Sequence, residues 1–304
     1  MLTPRTSGLA LAGLLVLTGC GPADKQAAVQ AVRHAADTLG PRTGTVSLTI
    51  TRDGGQPALT PHRTSLPAVA GVVLDPTHRS AALLAPPVMT KLRGQALAVF
   101  DRSVVYSRTA DGNAVGARPW FRLDSAHLGA LNHYGVQDLT RPTTLGDLVV
   151  LNPFTVVDDV RGLLTGSVQI DRNASVTAPG TGQRVPAVEY AGNTSLDKVA
   201  RQLHVDPDRE RPTRNLLGVY AITRDINPVS IWVSPAGALL RVRVSFVSTP
   251  LKRVTFRVVY DLTLDPPQAP SPDMAALQAP TRDEVVDVNS LGQLSLALTN
   301  LGQA

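Results

Sequence analysis

A single cysteine among 304 residues rules out an internal disulfide, so the fold has to rest on buried apolar area. Aromatic residues make up only 4 % of the chain, with two tryptophans, five phenylalanines and five tyrosines. The interior is therefore aliphatic, a composition that suits a solid core and a smooth apolar cavity equally well. No charge sign dominates: 29 basic residues face 24 acidic ones, for a net +5. The basic residues are scattered and not interleaved with aromatics, which excludes a nucleic-acid surface. Positive charge of this size is ordinary for solubility and also suits contact with anionic lipid headgroups.

Signatures of catalysis are missing as well. There is no Gly-x-Ser-x-Gly elbow and no glycine-rich phosphate loop. The six histidines, His34, His62, His78, His127, His133 and His204, show no metal-ligand spacing; His127 and His133 read as surface residues. Asp158-Asp159 and Asp283-Glu284 are adjacent in sequence, so on a helix they point about 100° apart and share no proton easily. No catalytic residue, metal site or cofactor is expected.

What is present begins at the N-terminus. Arg5 supplies a positive charge, Gly8 to Leu17 form an apolar run, and Leu17-Thr18-Gly19-Cys20 closes it. At about ten residues the run is too short to cross a bilayer, which takes roughly 20. The pattern resembles the lipobox of bacterial lipoprotein signal peptides, cleaved before the cysteine. Residues 1–19 are read as the leader, Cys20 as the lipidation site and 20–26 as a tether.

Farther along, Ala28, Val32, Ala35, Ala36 and Leu39 share one helix face, stopped by Gly40-Pro41. Thr45–Arg52, Gly71–Leu74, Ser80–Ala85, Ala96–Phe100, Val104–Arg108 and Trp120–Leu123 read as strands. Residues 125–150 are ambiguous. Asn152 and Pro153 open a predicted helix to 165, and Ser195 opens a second to Leu203, with a hairpin between them that has Val168 and Ile170 on one arm and Val185–Ala191 on the other. Strong alternation over 229–262 predicts a three-stranded meander that turns at Pro235-Ala236-Gly237 and Pro250. Asp265–Pro280 holds five prolines and reads as an extended linker.

Several segments resemble the LolA-like lipoproteins of actinobacteria, the LppX/LprG type. Tyr106-Ser107-Arg108 followed by Pro119-Trp120-Phe121-Arg122-Leu123-Asp124 is similar to a strand pair of that family. Asn152-Pro153 through Val160-Arg161-Gly162-Leu163-Leu164 to Gly166-Ser167-Val168 is similar to its central helix and following strand. Ile231-Trp232-Val233 with Gly237 and Arg241-Val242 resembles its Trp-x-Asp-x-x-Gly hairpin, with Ser234 at the aspartate position. Ala279-Pro280 with Glu284-Val285-Val286-Asp287 resembles its C-terminal tail.

The resemblance implies an α+β fold: a curved antiparallel half-barrel wrapped over helices, enclosing an apolar cavity for acylated lipids. The expected lipid-binding domain spans 27–265, with a Pro-rich extension over 266–304. Val46, Leu48, Ile50, Val99, Leu240, Val242, Val244, Val254, Phe256, Val258 and Tyr260 are the candidate lining, and Arg241, Arg243 and Arg257 are expected to face water. The leading expectation is a non-enzymatic lipoprotein at the outer face of the plasma membrane, anchored through lipid on Cys20. It carries or presents acylated lipid, with a membrane transporter or envelope protein as partner. The alternative is a regulatory or structural envelope protein of the same fold without cargo, as in RseB-like sensors. Apolar strand faces ordinarily pack a solid core.

Overall fold

The structure is a computed structural model that describes residues 22–52, 69–85, 94–101, 104–108, 118–124, 152–194, 227–251, 254–270 and 272–287. The expected helix from Ser195 and the ambiguous stretch 125–150 lie outside these residues.

Helix α1 runs Pro22–Asp37. Asp24 in its first turn and His34 in its last complement the helix dipole. Its apolar stripe, Ala28, Val32, Ala35 and Ala36, is buried together with Leu39 just beyond the end.

Two antiparallel meanders follow. The first is β1 (Arg42–Arg52), β2 (Val69–Asp75), β3 (Ser80–Leu84), β4 (Ala96–Asp101), β5 (Val104–Arg108) and β6 (Trp120–Asp124). Farther along the chain come β7 (Val168–Asp171), a small ribbon of β8 (Ser175–Thr177) and β9 (Arg184–Pro186), and β10 (Val188–Thr194). The second meander, β11 (Asn227–Val233), β12 (Leu239–Leu251) and β13 (Val254–Leu264), then leads to β14 (Val285–Asp287). Pairing of β1 with β13 joins the halves into an open, curved twelve-stranded sheet, ordered β14-β6-β5-β4-β3-β2-β1-β13-β12-β11-β10-β7. Every pairing in it is antiparallel except β14 on β6.

Three sequence expectations are corrected here. In place of a helix over 152–165 there is one helical turn, Phe154–Val157, and a 3-10 turn, Val160–Gly162. Asn152 does cap it, its Oδ1 accepting from the Phe154 N–H at 3.1 Å. Thr155, Val156, Val157 and Val160 are β-branched and Gly162 follows, so propensity does not carry the helix further. The arm Val168–Ile170 pairs with β10, Ile170 opposite Tyr190, while Val185 belongs to the separate β8–β9 ribbon. The stretch from Asp265 is not a free linker. Asp265 is buried, accepting from Thr43 Oγ1 and the Gly180 N–H, each at 2.7 Å. A 3-10 turn, Met274–Leu277, then packs on β2, β3 and β4, and β14 pairs with the β6 edge.

The sheet is covered on both sides. On the concave side, α1 and residues 154–164 bury Val46, Val72, Leu74, Leu83, Phe100, Ile231, Val242, Tyr260 and Leu262 in one cluster. On the convex side a C-terminal strap, the chain from Met274 to Asp287, covers Ala82, Val99 and Trp120. The β8–β9 ribbon covers Trp232 and Leu240. Each tryptophan carries an arginine on its face, Arg108 over Trp120 at 5.6 Å and Arg241 over Trp232 at 4.8 Å.

The β2–β3 turn is held by the buried Asp75. Its Oδ1 accepts from the Thr77 and His78 N–H groups at 3.0 and 3.3 Å, and its Oδ2 lies 2.6 Å from His78 Nδ1. Desolvation alone would push this carboxyl up, but the hydrogen bonds to His78 and Thr77 outweigh it and hold the pKa below the ordinary value. A depressed folded-state pKa stabilises above the unfolded value of about 3.9, and that contribution is lost as pH falls through the folded value. Asp75→Asn should therefore cost about 1 kcal/mol near neutrality. Denaturant melts at several pH values should show the gap closing below about pH 4; a gap constant with pH would contradict this role.

Candidate functional site on the concave face

The concave face is built by register. Leu262 of β13 stands opposite Val46 of β1 on one side and Val242 of β12 on the other. Tyr260 likewise stands between Leu48 and Val244, and Ile231 of β11 opposes Val242. Alternation sends Val46, Ile231, Val242, Val244, Tyr260 and Leu262 to one side of four consecutive strands, where they are buried in one cluster.

Of the eleven sequence-predicted lining positions, Val46, Val242, Val244 and Tyr260 are brought together here. Leu48, Ile50, Phe256 and Val258 continue the same ladder, Ile50 opposite Val258 and Arg52 opposite Phe256. Val254 closes the far end opposite Leu251. The side chains of these five lie outside the described residues.

Val99 and Leu240 sit elsewhere. Val99 is buried with Ala82 and Trp120 on the convex side, while Ala98 and Phe100 take the concave one. Strand β4 is apolar at every position from 96 to 100, so its periodicity does not mark a face. Leu240 packs with Trp232, Val176 and Ala187, also on the convex side. A bulge is responsible: Val233 opposes Leu239 while Trp232 opposes Arg241, which leaves Leu240 as the extra residue. Gly237, at φ 85°, closes the turn that feeds this bulge, and a side chain there would be strained. The concave position therefore goes to Leu239.

The outward arginines are only partly in water. Arg243 is exposed, whereas Arg241 is half-buried. Arg241 Nε donates to Asp261 Oδ1 at 2.8 Å, Nη2 donates to Asp261 Oδ2, and the guanidinium stacks on Trp232. The Asp261 hydrogen bond, against an opposing desolvation, raises the Arg241 pKa further. The Arg257 side chain is outside the described residues.

Sequence reading missed much of the concave lining. Ile231, Val229 and Val233 lie in a strand whose alternation is plain, and Leu74, Leu83 and Phe100 extend the face into the first meander. The signal for these was uniform apolarity of β2–β4, which identifies burial without assigning a side.

The cover is fastened by polar ties. Arg79, whose φ of 53° is the one positive value among described non-glycine residues, reaches from the β2–β3 turn to Asp158. Its Nη1 and Nη2 donate to the two Asp158 oxygens at 3.1 and 2.7 Å, and the guanidinium lies 5.3 Å over Phe154. Arg161 Nε donates to Asp37 Oδ1 at 2.6 Å, and Lys25 Nζ to the Thr165 carbonyl at 3.4 Å. These ties, exposed except for the part-buried Lys25 bond, position residues 154–165, and the exposed ion pairs add little stability individually. Two hydroxyls, Ser107 Oγ and Thr194 Oγ1, are buried without a hydrogen-bond partner among the described residues. The register places both on the concave side, where a polar ligand atom would satisfy them. Chemically, the face offers dispersion and area burial with few directional groups.

No protein-family model matches the chain, and no curated protein matches it. Among solved structures it is similar to the Mycobacterium tuberculosis lipoprotein LppX, at 10 % identity and a TM-score of 0.35. The match covers 77 % of this chain and 93 % of that one. An overlap that loose carries no argument about what this chain does.

Proposed function

We propose that the protein is an exported lipoprotein, anchored through Cys20, that holds acyl chains against the concave face of its sheet. One observation carries the reading: a continuous aliphatic face across at least four strands, in a chain whose N-terminus resembles a lipobox. Sequestering acyl chains needs area, at about 25 cal/mol per Å² removed from water, and no catalytic group. A lipid-carrying role at the outer face of the plasma membrane, with a transporter or envelope protein receiving the cargo, follows from the same pairing.

The alternative, an envelope protein of the same fold without cargo, draws support from the cover. Around Val46, Val242 and Leu262 the face is filled by α1 and residues 154–164. The two readings part in a titration of the chain lacking residues 1–20 with an environment-sensitive fluorescent fatty acid. Saturable blue-shifted emission, reversed by unlabelled diacyl lipid, is the expected result. Absence of enhancement in a folded sample favours the cargo-free reading. The anchor is tested separately. Cys20→Ala should abolish incorporation of a fatty-acid probe in cells, and label retained by the variant would remove the lipoprotein reading.

A further inference from the structure

We propose that the cleft between the returning C-terminal strap and the convex side of β5 and β6 is a binding site for a phosphate-bearing ligand, recognised by Arg118, Arg122 and Arg282. The site lies on the convex side and does not rest on the lipid-carrier reading.

The open cleft has a volume of about 770 Å³, within the range of small-ligand sites. One wall comes from the sheet, Tyr106, Arg118 and Arg122; the other comes from the strap, chiefly Pro280, Arg282, Asp283 and Asp287. The walls meet because β14 pairs parallel with β6, Val285 opposite Trp120 and Asp287 opposite Arg122. Three arginines from positions far apart in sequence thus line one cleft, and among the described residues no lysine joins them. Several forked, planar donors suit the oxygens of a tetrahedral dianion better than a single carboxylate.

Among the described residues few of their donors are taken, although Arg122 has Tyr106 as well as Asp287 for a hydrogen-bond partner. Arg118 Nη1 makes a long bond, 3.4 Å, to the Val285 carbonyl. Arg122 Nη1 donates to Asp287 Oδ1 at 3.2 Å, and both side chains stay partly exposed. Each guanidinium has five N–H groups, so these contacts leave a surplus. Arg282 has no ion-pair partner among the described residues. Glu284, two residues on, is engaged elsewhere: its Oε2 accepts from the Thr281 N–H and Oγ1 at 3.0 and 2.9 Å, closing a capping box. That box fixes the 3-10 turn Arg282–Glu284 from which Arg282 projects. Asp283 and Asp287 also line the cleft, leaving the arginines in excess and offering acceptors to ligand hydroxyls.

The plainer account is that these arginines only fasten the strap. It covers Arg118 and Arg122, each bonded to β14, and leaves Arg282 without an ion pair among the described residues. The test is a calorimetric titration of the full chain with inorganic phosphate and glycerol 1-phosphate. Alongside it runs co-sedimentation with phosphatidylglycerol vesicles against phosphatidylcholine vesicles. Binding of the free phosphates identifies a soluble ligand; binding of phosphatidylglycerol vesicles alone identifies a lipid headgroup. In either case Arg282→Gln should weaken binding about tenfold with an unchanged thermal midpoint, the loss expected for one charge-assisted donor. The double variant Arg118→Gln/Arg282→Gln should weaken it further. Failure of both probes to bind, or equal binding by parent and Arg282→Gln, overturns the proposal.

Discussion

Gly44→Val should leave the chain largely unfolded at 37 °C. Gly44 sits in β1 opposite Leu264, at the joint between the two meanders. A Cβ on Gly44 would lie 2.2 Å from the Thr263 carbonyl oxygen and 3.0 Å from the Leu264 Cα. Both are backbone atoms of the neighbouring strand, so no side-chain rotation relieves the clash. Separating β1 from β13 there would also pull on the Asp265 carboxylate, which Thr43 and Gly180 hold at 2.7 Å. Ordinary overpacking costs about 1–3 kcal/mol. A backbone clash at the seam of a sheet should exceed that, against a total stability of about 5–15 kcal/mol. Circular dichroism melts of parent, Gly44→Ala and Gly44→Val should fall in that order. A Gly44→Val protein melting with the parent would mean that β1 and β13 do not approach this closely.

Leu262→Ala should cost about 2–5 kcal/mol, the range for truncating a buried leucine. Leu262 is fully buried and stands between Val46 and Val242, so the void would open on both neighbouring strands at once. Urea denaturation gives the number. The value also reports on packing: a cost near the upper end means surroundings that cannot collapse, and a cost near 1 kcal/mol would mean that this stretch of the face is loosely filled. Coupling is expected too. The cost of Leu262→Ala with Val242→Ala should differ from the sum of the single costs, because the two side chains share one space.

Much of this architecture can be read in the residues, and the exceptions have physical causes. The helix ahead of Gly40-Pro41 and the three strands from Val229 to Leu262 follow from clean 3.6- and 2-residue periods, which report one-sided burial. Val99 could not be assigned a face that way, since Ala96 to Phe100 are all apolar and both sides of β4 are covered. Leu240 follows the period in sequence and departs from it in the fold, because a bulge shifts phase without changing composition. The segment 152–165 shows a helical stripe, yet its valines and threonine favour extended backbone and it settles into two short turns. The docking of the strap was hidden because prolines suggest an extended chain and say nothing of what it lies on. The same holds for the convex cleft, whose arginines at 118, 122 and 282 meet only through the β6–β14 pairing. Its one sequence trace is Glu284-Val285-Val286-Asp287, a short apolar pair flanked by acids, which marks a strand without naming its partner.

The most direct test of the account is native mass spectrometry of the chain lacking residues 1–20, purified gently from a membrane-rich host. The account predicts a bound population heavier by the mass of one acyl lipid, returned to the bare chain mass by organic extraction. A single unliganded species, with unchanged mass after incubation with diacyl lipid, would contradict it and leave the concave face as the packed core of a cargo-free envelope protein.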